Sequence, residues 1–105
     1  MPTGILLVES SPASADDAAA YHDWYENTHL AEMCELEGVV AARRLAVVGA
    51  DSYIALYEIE ADDLDAVRAG LGAASRSGRM SPPVGLRTDP PPTVRLLRDI
   101  AAFRP

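Results

Sequence analysis

The chain has 105 residues, with nine basic against 16 acidic side chains and a formal net charge of −7, which describes one small acidic domain over residues 1–105 with no room for a second core. Hydrophobic residues make up 49% of it, and no basic cluster exceeds the pair Arg43 and Arg44. That composition disfavours a disordered chain, a nucleic-acid partner and an anionic membrane surface.

The first element is the short apolar run TGILLVES, residues 3–10, bounded by Pro2 and the Ser10-Ser11-Pro12 turn cluster, and it predicts a buried strand. No positive segment precedes it, and no stretch approaches the roughly 20 apolar residues that span a bilayer. An unexported protein is therefore expected. Ser14 is placed to cap a helix with Asp16 and Asp17 in its first turn, and the helical pattern runs from residue 15 to about 36. Glu37-Gly38 ends it. Residues 38–50 and 53–60, joined at Asp51-Ser52, predict two strands of a hairpin. Residues 61–74 predict a second, shorter helix capped by Asp62 or Asp63. Residues 75–92 hold five of the eight prolines and predict an irregular connection of the kind that is usually functional or mobile. Residues 93–102 close the chain as a last strand.

The order β-α-β-β-α-β is the split βαβ pattern, an α+β ferredoxin-like fold with both helices on one face of a four-stranded antiparallel sheet. The other sheet face stays bare. A chain this short buries only about 60 to 68% of its unfolded surface, so a second copy covering that face is expected, which makes the protein a two-fold homodimer. A single cysteine, Cys34, excludes an internal disulfide and suits a reducing cytoplasm. All nine basic residues are Arg, a usage that points to a GC-rich bacterial genome.

Chemistry concentrates in YHDWYENTHL, residues 21–30, with three of the six aromatic residues and both histidines. At 100° per residue, Tyr21, Tyr25 and His29 share the sheet-facing side of the helix, with Trp24 on its shoulder. Tyr21 and Trp24 are expected in the core, where they can also wall a ligand pocket. Asp16, Asp23, Glu26 and Glu37 fall mostly on the solvated side, and His22 between the two, at the rim or in water. Tyr25 and His29, one turn apart, are the expected catalytic pair, with His29 as general acid or base near neutral pH. His22, Glu26 and His29 stand at i, i+4 and i+7, but with Glu26 turned away no metal site is expected. Cys34 is expected to be inert.

Arg43 and Arg44 are consecutive in a strand and point to opposite sheet faces, so only one of them can face the helices, where it would pair with an internal carboxylate such as Glu58 or bind an acidic substrate group; an exposed or dimer-edge arginine is the equal alternative. Tyr53 and Tyr57 share one face of the following strand, opposite Ile54, Leu56 and Glu58. One set joins the pocket and the other meets the partner.

The segment DWYENTHLAEMCELEGVVAARRLAV, residues 23–47, followed by YIALYEIEADDL, resembles the dimeric α/β-barrel superfamily, and within it small bacterial proteins of the EthD-like group. The pattern is W-Y-x-x-x-H-L, a Gly before a strand carrying A-R-R, then Y-x-A-L-Y-E. The resemblance covers roughly residues 3–74. It implies a homodimeric barrel with a small-molecule pocket between sheet and helices, beside His29, Tyr25 and Trp24. Where EthD-type members have Pro soon after the His-Leu pair, this chain has Ala31, and its helix is expected to run on. The superfamily includes isomerases, cyclases, cofactor-free monooxygenases, haem proteins and proteins without assigned role.

The expected function is cofactor-independent isomerase, cyclase or lyase chemistry on an apolar, aromatic or polyketide-like molecule, such as secondary metabolism uses. A cofactor-free monooxygenase and a non-catalytic ligand-binding protein are the alternatives, and haem, with His29 on the helix, is a third possibility.

Overall fold

The computed structural model describes residues 3–105. Alternating apolar positions form four strands, β1 (Thr3–Ser10), β2 (Val39–Ala46), β3 (Tyr53–Glu60) and β4 (Thr93–Arg98), in one antiparallel sheet of order β2-β3-β1-β4. Two helical stretches cover one face. The first is continuous and has three parts, α1 (Ala18–Trp24), a π-helical turn (Tyr25–His29) and α2 (Leu30–Cys34). The second is α3 (Leu64–Arg76). The fold is α+β, a four-stranded antiparallel sheet with two helical stretches, and is compatible with a ferredoxin-like arrangement. No helix among the described residues is long and apolar enough to cross a membrane.

Local chemistry sets the ends of these elements. Ser14 accepts from the Asp17 amide at 3.3 Å and donates to the Asp17 carboxylate at 2.8 Å. This holds residues 15–17 as a turn, and the helix proper starts at Ala18. At α3 the capping residue is Asp63, whose carboxylate accepts from the Asp65 amide at 3.0 Å. Residues 77–92 carry no helix or strand beyond a single bridge between Pro12 and Leu86. Two backbone bonds beside that bridge, Ala13 N–H to Gly85 and Arg87 N–H to Ser11, tie the segment to the entrance of the first helix.

Register decides which residues meet. Leu6 pairs with Tyr57 and Val8 with Ala55 across β1 and β3, while Ala42 pairs with Tyr57 and Arg44 with Ala55 across β2 and β3. These residues face the helices, and Leu6, Ala55, Tyr57 and Ile59 form the sheet side of the core. Tyr21, Trp24, Tyr25, Met33 and Leu36 pack on them from the first helix, with Leu64, Val67 and Ala74 from α3. The opposite parity puts Ile5, Leu7, Ile54 and Leu56 on the open face, with Leu45 and Leu97 exposed at its flanks.

The entry to β2 depends on one glycine. Gly38 has φ +92°, its carbonyl accepts from the Glu60 amide at 2.9 Å, and a bulge follows between Val39 and Ala41. A Cβ at this position would lie 2.8 Å from Val67 Cγ2 in the core face of α3. Gly38→Ala combines a left-handed backbone with this overlap, and we predict a loss of about 2 kcal/mol in urea denaturation. An unchanged midpoint would show that the Gly38 turn can relax without cost.

Candidate functional site

The sheet presents two buried hydroxyls to the helices, those of Ser10 and Tyr57. Ser10, at the end of β1, lies 2.7 Å from the Tyr21 hydroxyl and 3.4 Å from that of Tyr25. Tyr21 and Tyr25 meet edge to face at 5.3 Å between ring centroids, and Tyr57 is fully buried below the same helix. Burial pushes the Tyr57 hydroxyl far above its ordinary range, reinforced by the neighbouring Tyr25. Burial also raises Tyr25, against the opposing hydrogen bond from Ser10. Both rings therefore stay neutral, and the Tyr57 hydroxyl has no hydrogen-bond partner among the described residues.

Arg44 lies across this aromatic floor. Its guanidinium carbon is 4.5 Å from the centroid of Tyr25, 5.2 Å from that of Tyr21 and 5.4 Å from that of Tyr53. The side chain is only 12% exposed, whereas the other eight arginines are exposed. Arg44 Nη1 is 2.9 Å from His22 Nδ1 and 3.5 Å from a carboxylate oxygen of Glu26, whose side chain is 59% exposed. A guanidinium can only donate, so Nδ1 of His22 accepts and the ring hydrogen resides on Nε2. Arg44 Nε and Nη2 are buried without a partner among the described residues.

A cleft of about 500 Å³ opens between the first helix and the β2–β3 hairpin. Its polar lining is His22, Glu26, Arg44 and Tyr53, and its apolar lining includes Leu30 and Ala46. His22 stands edge to face on Tyr53 at 4.5 Å. The π-helical turn shapes this wall. It widens the helix just after Trp24, so that Leu30 reaches the cleft while the His29 ring stacks on Trp24 at 4.4 Å and 20°.

The expected site residues thus separate. Tyr25 and His29 do meet, edge to face at 5.3 Å, but neither lines the cleft, and their polar atoms make no bond to each other. Tyr21, Trp24 and Tyr57 are buried in the core, and Tyr53 reaches the cleft. Of the arginine pair, Arg44 faces the helices and Arg43 the open side. Glu58 is also on the open side and does not meet Arg44. The carboxylate near Arg44 is Glu26, from the helix flank expected to be solvated. Among the described residues no group of three or more His, Cys, Asp or Glu is placed to hold a metal ion.

No family model matches the sequence. No curated protein or solved structure matches it either.

Three positions of the candidate site fall outside what a helical wheel assigns. Ser10 was open to strand parity, since it shares the face of Leu6 and Val8. His22 and Glu26, at i and i+4, form the cleft wall only because Arg44 rises from β2 to meet them.

Two measurements test this description. Ser10→Ala strands two buried tyrosine hydroxyls and is expected to cost about 1–3 kcal/mol in urea denaturation, whereas Tyr57→Phe removes a hydroxyl that has no partner among the described residues and is expected to be neutral or slightly stabilising. Equal losses in both variants would contradict it. For His29, burial lowers the pKa below its ordinary 6.5, with Glu32 opposing. The unfolded chain then binds this proton more readily than the folded one, so the contribution is fully present above about pH 6.5 and is lost as pH falls toward the lowered value. His29→Gln is expected to flatten the fall in melting temperature between about pH 6.5 and 5, and an unaltered slope would place the His29 ring in water.

Proposed function

We propose that the chain is one half of a two-fold dimer of the dimeric α/β-barrel type, and that its cleft carries out cofactor-independent acid–base chemistry on a small, largely apolar molecule. The observation that carries this reading is the convergence of an imidazole, a carboxylate and a shielded guanidinium on one open cleft with apolar walls. The resemblance of residues 23–47 to the barrel superfamily supports it.

The reaction class that this set of groups serves best is proton transfer next to a carbonyl, as isomerases, cyclases and lyases use it. The Glu26 carboxylate takes a proton from the carbon beside the carbonyl, and the electron pair moves into the carbonyl oxygen. Arg44 stabilises the negative charge that develops there. His22, with Nδ1 held by Arg44, offers its Nε2–H to the same oxygen as a neutral hydrogen-bond donor. Returning the proton from Glu26 to another carbon completes an isomerisation. In this scheme Tyr25 and Tyr21 form the floor that orients Arg44, and His29 stands behind it on Trp24.

The dimer rests on the open sheet face. Ile5, Leu7, Ile54 and Leu56 form its apolar centre, and its charges nearly balance, Arg43 and Arg95 against Glu9, Glu58 and Glu60, in a chain of net charge −7. A second copy can therefore approach this face without the repulsion that the rest of the surface carries. Light scattering is expected to give about twice the 11.2 kDa chain mass, and Leu56→Glu to return it to one. A monomeric native chain would sink this part of the reading.

For the chemistry, deuterium incorporation from heavy water into a panel of β-dicarbonyl and unsaturated-lactone compounds can be followed by NMR. Glu26→Gln is expected to slow exchange roughly 10²- to 10⁴-fold, and His29→Gln to leave most of it intact. Compounds that bind without exchanging would favour a ligand-binding dimer instead.

A further inference from the structure

We infer that residues 77–92 form a strap along the first helix that a proton on His29 releases, a device independent of the chemistry proposed for the cleft. The strap is held to that helix at two places. At one, Gly85 lies against the start of α1, and with φ +66° it packs so closely that a Cβ would stand 2.8 Å from the Asp17 carbonyl oxygen and 3.3 Å from Tyr21 Cβ. The backbone bonds of Ala13 to Gly85 and of Arg87 to Ser11 fix this end. At the other, the Glu32 carboxylate on α2 accepts from the Ser81 amide at 3.1 and 3.2 Å and from the Ser81 hydroxyl at 2.6 Å. Beyond the packing of Met80 on the core, no other hydrogen bond among the described residues holds residues 80–84. The Ser81 end therefore depends on one carboxylate.

That carboxylate has a second claimant. Glu32 stands three residues after His29, within side-chain reach on the same helix, and among the described residues it is the charged group that acts on the His29 ring. Tyr25, edge-on to the ring at 5.3 Å, is held in its protonated form by burial. Trp24, stacked on the face of the ring, does not titrate. On the strap, Arg79 is exposed and lines a separate cleft beside α3. His29 Nδ1 is buried without a partner among the described residues. Once the ring takes a proton both of its nitrogens become donors, and a buried N–H without an acceptor is costly. Glu32 is the acceptor at hand, and its turn toward His29 leaves Ser81 without one. The fastened strap disfavours the proton on His29 and the released strap favours it, so acid sets the strap loose.

The test is an NMR titration of the full chain from about pH 8 to 5, following the Ser81 amide and the His29 ring. The fluorescence of Trp24, the single tryptophan, gives a second report on His29. The Ser81 amide is expected to leave its hydrogen-bonded position with the same midpoint as His29. Its protection from hydrogen exchange, corrected for the intrinsic rate, is expected to fall about tenfold or more while the amides of β1 and β3 keep theirs. In His29→Gln the Ser81 amide is expected to hold still over that range, and in Glu32→Ala to be unprotected at every pH. A Ser81 amide that stays protected while His29 titrates, that still moves in His29→Gln, or that stays protected in Glu32→Ala would overturn the inference. So would a loss of protection spread evenly over the sheet. Should His29→Gln fail to fold, the two midpoints in the native chain decide, and midpoints that do not coincide overturn it.

Discussion

A guanidinium held out of water by three tyrosine rings is the constraint around which the molecule is arranged. Removing a cation from water is expensive unless it is paired and hydrogen-bonded, and Arg44 is only partly so: the Tyr25, Tyr21 and Tyr53 rings and His22 contact it, while two of its donors have no partner among the described residues. The tyrosine floor is itself fixed from below. Ser10 anchors the Tyr21 and Tyr25 hydroxyls, so the strand end, the first helix and the edge strand β2 meet through one chain of contacts. Moving any one of them would change what Arg44 presents to the cleft.

The distribution of charge over the two sheet faces follows from strand parity. One residue of difference sends Arg43 outward and Arg44 inward. On the helix side the positive charge meets aromatic rings and the Nδ1 of His22. On the open side it is met by Glu9, Glu58 and Glu60 around an apolar centre. The excess of acidic residues lies elsewhere, on exposed positions such as Asp16, Asp23, Asp62 and Asp65, where it favours solubility and says little about the ligand.

Much of this fold is legible in the sequence because local signals and burial agree. TGILLVES and YIALYEIE begin and end where their turn residues lie, and their alternation matches the two faces of the sheet. Asp63 is one of two caps that the spacing offers for α3. The site is less legible, for two physical reasons. A wheel drawn at 100° per residue assumes an unbroken α-helix, and the π-helical turn at Tyr25–His29 changes the phase between Trp24 and Leu30, so His29 goes to Trp24 and Leu30 to the cleft. Strand parity, in turn, shows that Arg43 and Arg44 diverge but not which one faces inward. That choice is set by the pairing of β2 with β3 beyond the bulge at Val39 and Ala41, and it brings Glu26 rather than Glu58 to the guanidinium.

The central claim is that Arg44 is kept for what it binds rather than for what it holds together, and its most direct test is the stability of Arg44→Met without ligand. Methionine is similar in length, suits an aromatic floor and carries no donors to satisfy. Urea denaturation at fixed protein concentration is expected to place Arg44→Met within about 1 kcal/mol of the native chain, or above it. A loss of about 3 kcal/mol or more would show that the guanidinium is a structural pillar of the fold, and would contradict this account of the site.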